Sequence, residues 1–186
     1  MMPSDEQEME PESRSLLQTM RQIILEFLST AVRAAILAFL IIYFVAQTSI
    51  VHGYSMEPTL HENQRLIIEK VSYRFEQPMR GDVVIVEVSD SEIPLIKRVV
   101  GLPGETIAIQ NGQLFINNQP VTESYLSPLP AYNYPSTTVP QDYLFVMGDN
   151  RIVSRDSRAF GPVSQDQILG RAWLSYWPPQ DLGLVK

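Results

Sequence analysis

This sequence predicts a mainly β chain: a compact antiparallel, barrel-like β domain behind one N-terminal transmembrane helix. Three observations predict it. Residues 34–51 (AAILAFLIIYFVAQTSIV) carry no charge. After them come strand-length runs rich in branched and aromatic residues, with almost no helical period. Asn111-Gly112 lies between two of those runs, and Asn-Gly in that setting is the strongest short hairpin signal.

In chain order, residues 1–22 read as an acidic tail, expected in the cytoplasm, and residues 23–51 as the anchor region. The uncharged stretch alone would span about 27 Å at about 1.5 Å rise per residue, close to the hydrocarbon thickness of a bilayer. An earlier helix start is expected, because Ile23, Ile24, Leu25, Phe27 and Leu28 are apolar and Arg33 can snorkel. A cleaved secretory signal would put a shorter apolar core nearer the N-terminus. A buried core helix would show a polar stripe. Arg14, Arg21 and Arg33 precede the apolar stretch, which slightly favours a cytoplasmic N-terminus.

Residues 52–186 form the expected extracytoplasmic β domain. Its strand-like runs are 65–73, 82–88, 94–101, 105–110, 113–118, 143–148 and 168–177. Residues 120–140 are rich in proline and read as an irregular excursion.

Composition narrows the chemistry. A net charge of −7 does not suit a nucleic-acid binder, which needs a basic face. With no cysteine, disulfides, thiolate metal sites and cysteine nucleophiles are excluded. The two histidines, His52 and His61, do not make a His-rich metal site, and His61-Glu62 lacks the second His of a zincin helix. No metal or cofactor is expected.

Ser55 sits in GYSMEPTL, close behind the apolar stretch and therefore close to the membrane surface. A lone loop serine is ordinarily a turn or cap residue, and its hydroxyl is a weak nucleophile until a base takes the proton. His52 and His61 are near in sequence, but neither lies in an evident triad motif. The lysines are Lys70, Lys97 and Lys186. In a strand, Lys97 shares a face with Leu95 and Val99, a setting that lowers a lysine pKa from its free value near 10.4 by desolvation. The adjacent Arg98 cannot serve as base, because guanidinium stays protonated. A packed lysine stem with its ammonium in water is the plainer reading. The polar segment 148–162 (GDNRIVSRDSRAFGP) offers Ser154 and Ser157 to a lysine amine. It also offers Asp149, Asp156, Arg151, Arg155 and Arg158 to one another; equally, it reads as a solvated turn.

Four blocks in order, SMEPTL (55–60), RGDVVIV (80–86), KRVVGLPGE (97–105) and GDNRIVSRDSRAFG (148–161), resemble the type I signal peptidases, the bacterial leader peptidases that act through a Ser–Lys dyad. The resemblance covers residues 35–177. It implies Ser55 as nucleophile, Lys97 as general base and Ser154 as the serine that hydrogen-bonds and orients the lysine. It implies that Met56 and Pro58 shape the nucleophile loop. Arg98 with Asp149, and Asp156 with Arg158, are implied as structural ion pairs. Gly101, Gly104 and Gly148 match glycines at tight backbone positions. Gly53 stands where some members carry an oxyanion-binding serine, so the Ser55 N–H is the surer donor, with Gly53 contributing.

The implied activity is removal of signal peptides from exported preproteins after small-x-small sites, without metal or cofactor. The implied partners are preprotein signal peptides and the lipid bilayer, with the export machinery as a candidate and no nucleic acid. The expected location is the plasma membrane, single-pass, with an internal photosynthetic membrane as the alternative. Two other readings remain: a self-cleaving Ser–Lys regulator, which would want a DNA-binding helical region, and a membrane-tethered β binding module or inactive paralogue, in which Ser55 and Lys97 are dispensable.

Overall fold

The computed structural model describes residues 11–126 and 131–186, and the chain divides into two units, Met1–Phe44 and Val45–Lys186. The first unit contains most of helix α1 (Pro11–Val45). Proline suits its first position, where the missing N–H has no partner in any helix. Within it, Gln18–Leu40 is long and apolar enough to cross a membrane, with a mean hydropathy of 2.0.

Two sequence expectations change here. Residues 11–22 of the expected tail are helical, and residues 1–10 lie outside the described residues. The apolar stretch also does not stay helical to Val51. Its end, Ala46–Ile50, is strand β1, paired antiparallel with β2 (Arg65–Glu69) from Ala46↔Glu69 to Ile50↔Arg65. Gln47, Thr48 and Ser49 are polar, and the branched Thr48 and Ile50 favour extended backbone.

The second unit is built from two antiparallel sheets. The larger runs β1-β2-β11-β3-β4-β9-β10, with β12 (Gly183–Leu184) added to β11. Its remaining strands are β3 (Val83–Val86), β4 (Leu95–Gly101), β9 (Tyr143–Met147), β10 (Val163–Ser164) and β11 (Ile168–Trp177). The smaller runs β7-β6-β5-β8, from β5 (Thr106–Gln110), β6 (Gln113–Ile116), β7 (Gln119–Val121) and β8 (Tyr134–Thr138). Asn111 and Gly112 make the β5–β6 turn with positive φ of 51° and 81°, as a two-residue hairpin of this kind requires.

Residues 120–140 are therefore not irregular throughout, since β7 and β8 fall within or beside them. Both are edge strands and both contain proline, Pro120 and Pro135. Edges are where a sheet tolerates a residue without an N–H, so the prolines mask the strand signal without forbidding the strand.

Burial explains the curvature of the larger sheet. All four residues of β3 are buried. Val83 and Ile85 pack with Met56, Leu60, Leu66 and Ile68 on one face. Val84 and Val86 pack with Val99, Leu144 and Val146 on the other. A third cluster joins the sheets: Ile107, Ile109 and Leu114 close on Val100, Phe145 and Met147. Gly101 ends β4 where a Cβ would lie 2.8 Å from Ile107 and 2.9 Å from Phe145, so only glycine lets the sheets approach this closely. Phe145 is fully buried at that junction. Phe145→Ala is expected to lower the unfolding free energy by about 3–5 kcal/mol, measured by denaturant titration of the full chain in detergent.

Candidate active site

Ser55 lies in the loop between β1 and β2. The loop is closed at its base by Val51 N–H to Gln64 O at 2.8 Å and Asn63 N–H to Val51 O at 2.9 Å. It is pinned from within by Met56 and Leu60, 1% and 3% exposed, which drop into the core on one side of β3. The Glu57–Pro58 peptide is cis. With Met56 buried, the neighbouring Ser55 is left half-buried at the domain surface. Gly53 has a positive φ of 76°, which turns the chain into the loop.

Lys97 comes from the middle of β4, opposite Val84 of β3, and is 2% exposed. Its Nζ donates to Ser55 Oγ at 2.8 Å and to its own strand, Ile96 O, at 2.9 Å. Burial pushes its pKa down to about 8, against the opposing pull of Asp156 and Asp149. A group with that pKa is neutral in an appreciable fraction of molecules near neutrality, as a base for a serine hydroxyl must be. His52 and His61 are exposed, and His61 faces Glu57 at 3.6 Å rather than Ser55.

The turn after β9 closes the site from the third side. Asn150 N–H donates to Ser55 O at 3.0 Å. A side chain at Gly148 would collide with Ser154 and the Ser55 carbonyl, so glycine there lets the Ser55 loop and the turn touch. Asp156 is fully buried; it accepts from Gly148 N–H at 3.1 Å and from Arg158 Nε and Nη2 at 2.8 Å each. Arg98 grips Asp149 with two bonds, Nε to Oδ1 at 2.8 Å and Nη2 to Oδ2 at 2.6 Å, both side chains being almost fully buried. It also donates to Gly81 O, Thr59 Oγ1 and Lys186 O.

A serine hydroxyl touching a buried lysine, framed by two Arg–carboxylate pairs, is a recognisable constellation. Residues 24–177 match the family model described as Signal peptidase, peptidase S26. The chain belongs to this family. It is 41% identical over 167 residues to the probable signal peptidase I-2 of Synechocystis, covering 87% of this chain and 77% of that protein. It is 40% identical over 168 residues to signal peptidase I of Leptolyngbya laminosa, covering 86% and 83%. Signal peptidase I T of Bacillus subtilis is 35% identical over 173 residues, covering 87% and 90%. The protein is thus a serine peptidase of the signal peptidase I family, and family membership supports signal-peptide removal as its activity.

The structure brings together Ser55, Lys97, Gly148, Asp149 and Arg98, and pairs Asp156 with Arg158. Ser154 departs from what the resemblance implies. In this peptidase its Oγ is buried without a hydrogen-bond partner, wedged against Gly148. The Lys97 ammonium instead takes Ser55 and its own strand as acceptors. Sequence reasoning also missed the partners of Arg151. Its guanidinium bonds Glu123, Nη1 to Oε2 at 2.9 Å and Nη2 to Oε1 at 2.5 Å, from the stretch read as irregular. The available signal was an arginine in a buried motif with no acid of its own, since Asp149 and Asp156 match other partners.

Removing one member of a buried pair strands the other charge. Asp149→Asn is expected to cost about 3–5 kcal/mol of unfolding free energy, measured by denaturant titration; Arg155, whose partner Asp90 is exposed, should tolerate Arg155→Ala within about 1 kcal/mol.

Proposed function

We propose that the protein is a membrane-anchored endopeptidase that removes signal peptides from exported preproteins with a Ser55–Lys97 dyad. The observation that carries this reading is the 2.8 Å contact between Lys97 Nζ and Ser55 Oγ, made by a lysine that burial keeps near the pKa a base needs. Neutral Lys97 takes the Ser55 proton as Oγ attacks the scissile carbonyl. The oxyanion is held by the Ser55 N–H, with Gly53 contributing. Lys97 then returns the proton to the leaving amine, and water, deprotonated by the same lysine, releases the acyl chain. Arg98–Asp149 and Asp156–Arg158 hold the turn against the nucleophile loop.

The substrates are preproteins with small side chains at the two positions that flank the variable residue of a small-x-small site. Helix α1, which fits a single span, anchors the enzyme in the bilayer with its N-terminus cytoplasmic and its β domain outside. The plasma membrane is the proposed location, with an internal photosynthetic membrane as the alternative. The export machinery is the proposed neighbour.

Lys97→Arg keeps a cation but removes the base. In detergent, with a preprotein substrate and the cut mapped by mass, the parent should cleave after the small-x-small site. The folded variant should lose at least about 10³-fold in kcat. Equal cleavage by both would sink the dyad. The pH profile follows from the sign of the Lys97 shift. The neutral lysine is the active form, so kcat/KM should rise with pH, reach half its plateau near the Lys97 pKa of about 8, and fall about tenfold per unit well below it. A profile flat from pH 6 to 9 would remove Lys97 from the rate-limiting chemistry.

A further inference from the structure

The turn at residues 148–151 touches the nucleophile through Asn150 N–H and Gly148, yet its own supports come largely from outside it. Arg151 Nε donates to Gly148 O at 3.0 Å, while the rest of its guanidinium forks onto Glu123, with the two side chains 1% and 6% exposed. Tyr125, in the turn closed by Leu126 N–H to Glu123 O, donates its hydroxyl to the Glu123 carboxylate. The face of the Tyr125 ring lies 4.1 Å from the Arg98 guanidinium, within cation–π range. Burial, then the Glu123 carboxylate, raises the Tyr125 pKa, so the phenol stays protonated and remains a donor. Segment 123–125 thus reaches two adjacent residues at the start of the turn, Gly148 through Arg151 and Asp149 through Arg98.

We propose that Glu123 is a positioning residue for the catalytic pair, fixing through Arg151 the Gly148 carbonyl and hence the turn that sets Ser55 against Lys97. This rests on the Ser–Lys reading above. A buried ion pair adds little net stability compared with apolar side chains of similar volume. What two fixed hydrogen bonds add is geometry. A reacting group displaced by about 1 Å can lose on the order of 10²-fold in rate.

The test compares full-length parent, Glu123→Gln and the double variant Glu123→Gln/Arg151→Met in detergent on a preprotein. kcat and KM are expressed per folded molecule, and melting temperature is recorded for each. Glu123→Gln should lower kcat by at least about tenfold with KM within about twofold, the mark of an interaction that acts on the chemical step rather than on binding. The double variant removes both charges, so its melting temperature should recover while kcat stays at least about tenfold down. Recovery of kcat together with melting temperature, or a Glu123→Gln enzyme within about twofold of the parent kcat, would overturn the proposal and leave the pair a structural contact. If Glu123→Gln does not fold, the double variant alone decides between these outcomes. A parent no faster than Lys97→Arg would instead overturn the Ser–Lys reading.

Discussion

An ammonium group sealed into a β-sheet is the constraint around which this domain is organised. Lowering the Lys97 pKa from 10.5 to about 8 corresponds to on the order of 3 kcal/mol, a cost borne by the fold wherever the lysine is charged. The cost is present below the folded-state value and fades as pH climbs towards the unfolded one, so the fold gains stability on the alkaline side. The rest of the sheet supplies the offset. β4 runs between β3 and β9, with apolar clusters on both faces. Two carboxylates stand close enough to raise the lysine again, but each is already held by an arginine: Asp149 by Arg98 and Asp156 by Arg158. Those arginines blunt the negative field at Lys97, so the ion pairs hold geometry and help keep the lysine pKa low.

Where the sequence was legible, local signals agreed with tertiary context. β3, β4 and the β5–β6 hairpin announced themselves through branched residues and Asn-Gly. The four blocks identified Ser55, Lys97 and their supporting arginines and carboxylates through resemblance, and the structure brings the Ser55–Lys97 and Arg98–Asp149 pairs into contact. Where the sequence was opaque, two signals overlapped or none was local. β1 hid inside an apolar stretch because hydropathy does not distinguish the last turns of a membrane helix from a strand that begins directly after it. β7 and β8 hid behind prolines that edge strands accept. Glu123 stands 28 positions from Arg151, a separation at which no periodicity or spacing rule has force. The Ser154 hydroxyl shows that a matched motif fixes which residue is present and where its backbone lies, while hydrogen bonding depends on what the lysine already holds.

The strand order has a consequence for when this enzyme begins to exist as one. β1 and β2, which bracket the Ser55 loop, form one hairpin; β3 and β4, which carry Lys97, form another. The two hairpins do not pair with each other. β11 lies between them, bonded to β2 on one side and β3 on the other, and it follows both hairpins in the chain. Non-local pairings of this kind close late, because the intervening chain must first be ordered. Until β11 pairs with both, Ser55 and Lys97 stand on separate, unjoined ribbons. The contact between the two residues thus depends on a strand that belongs to neither ribbon.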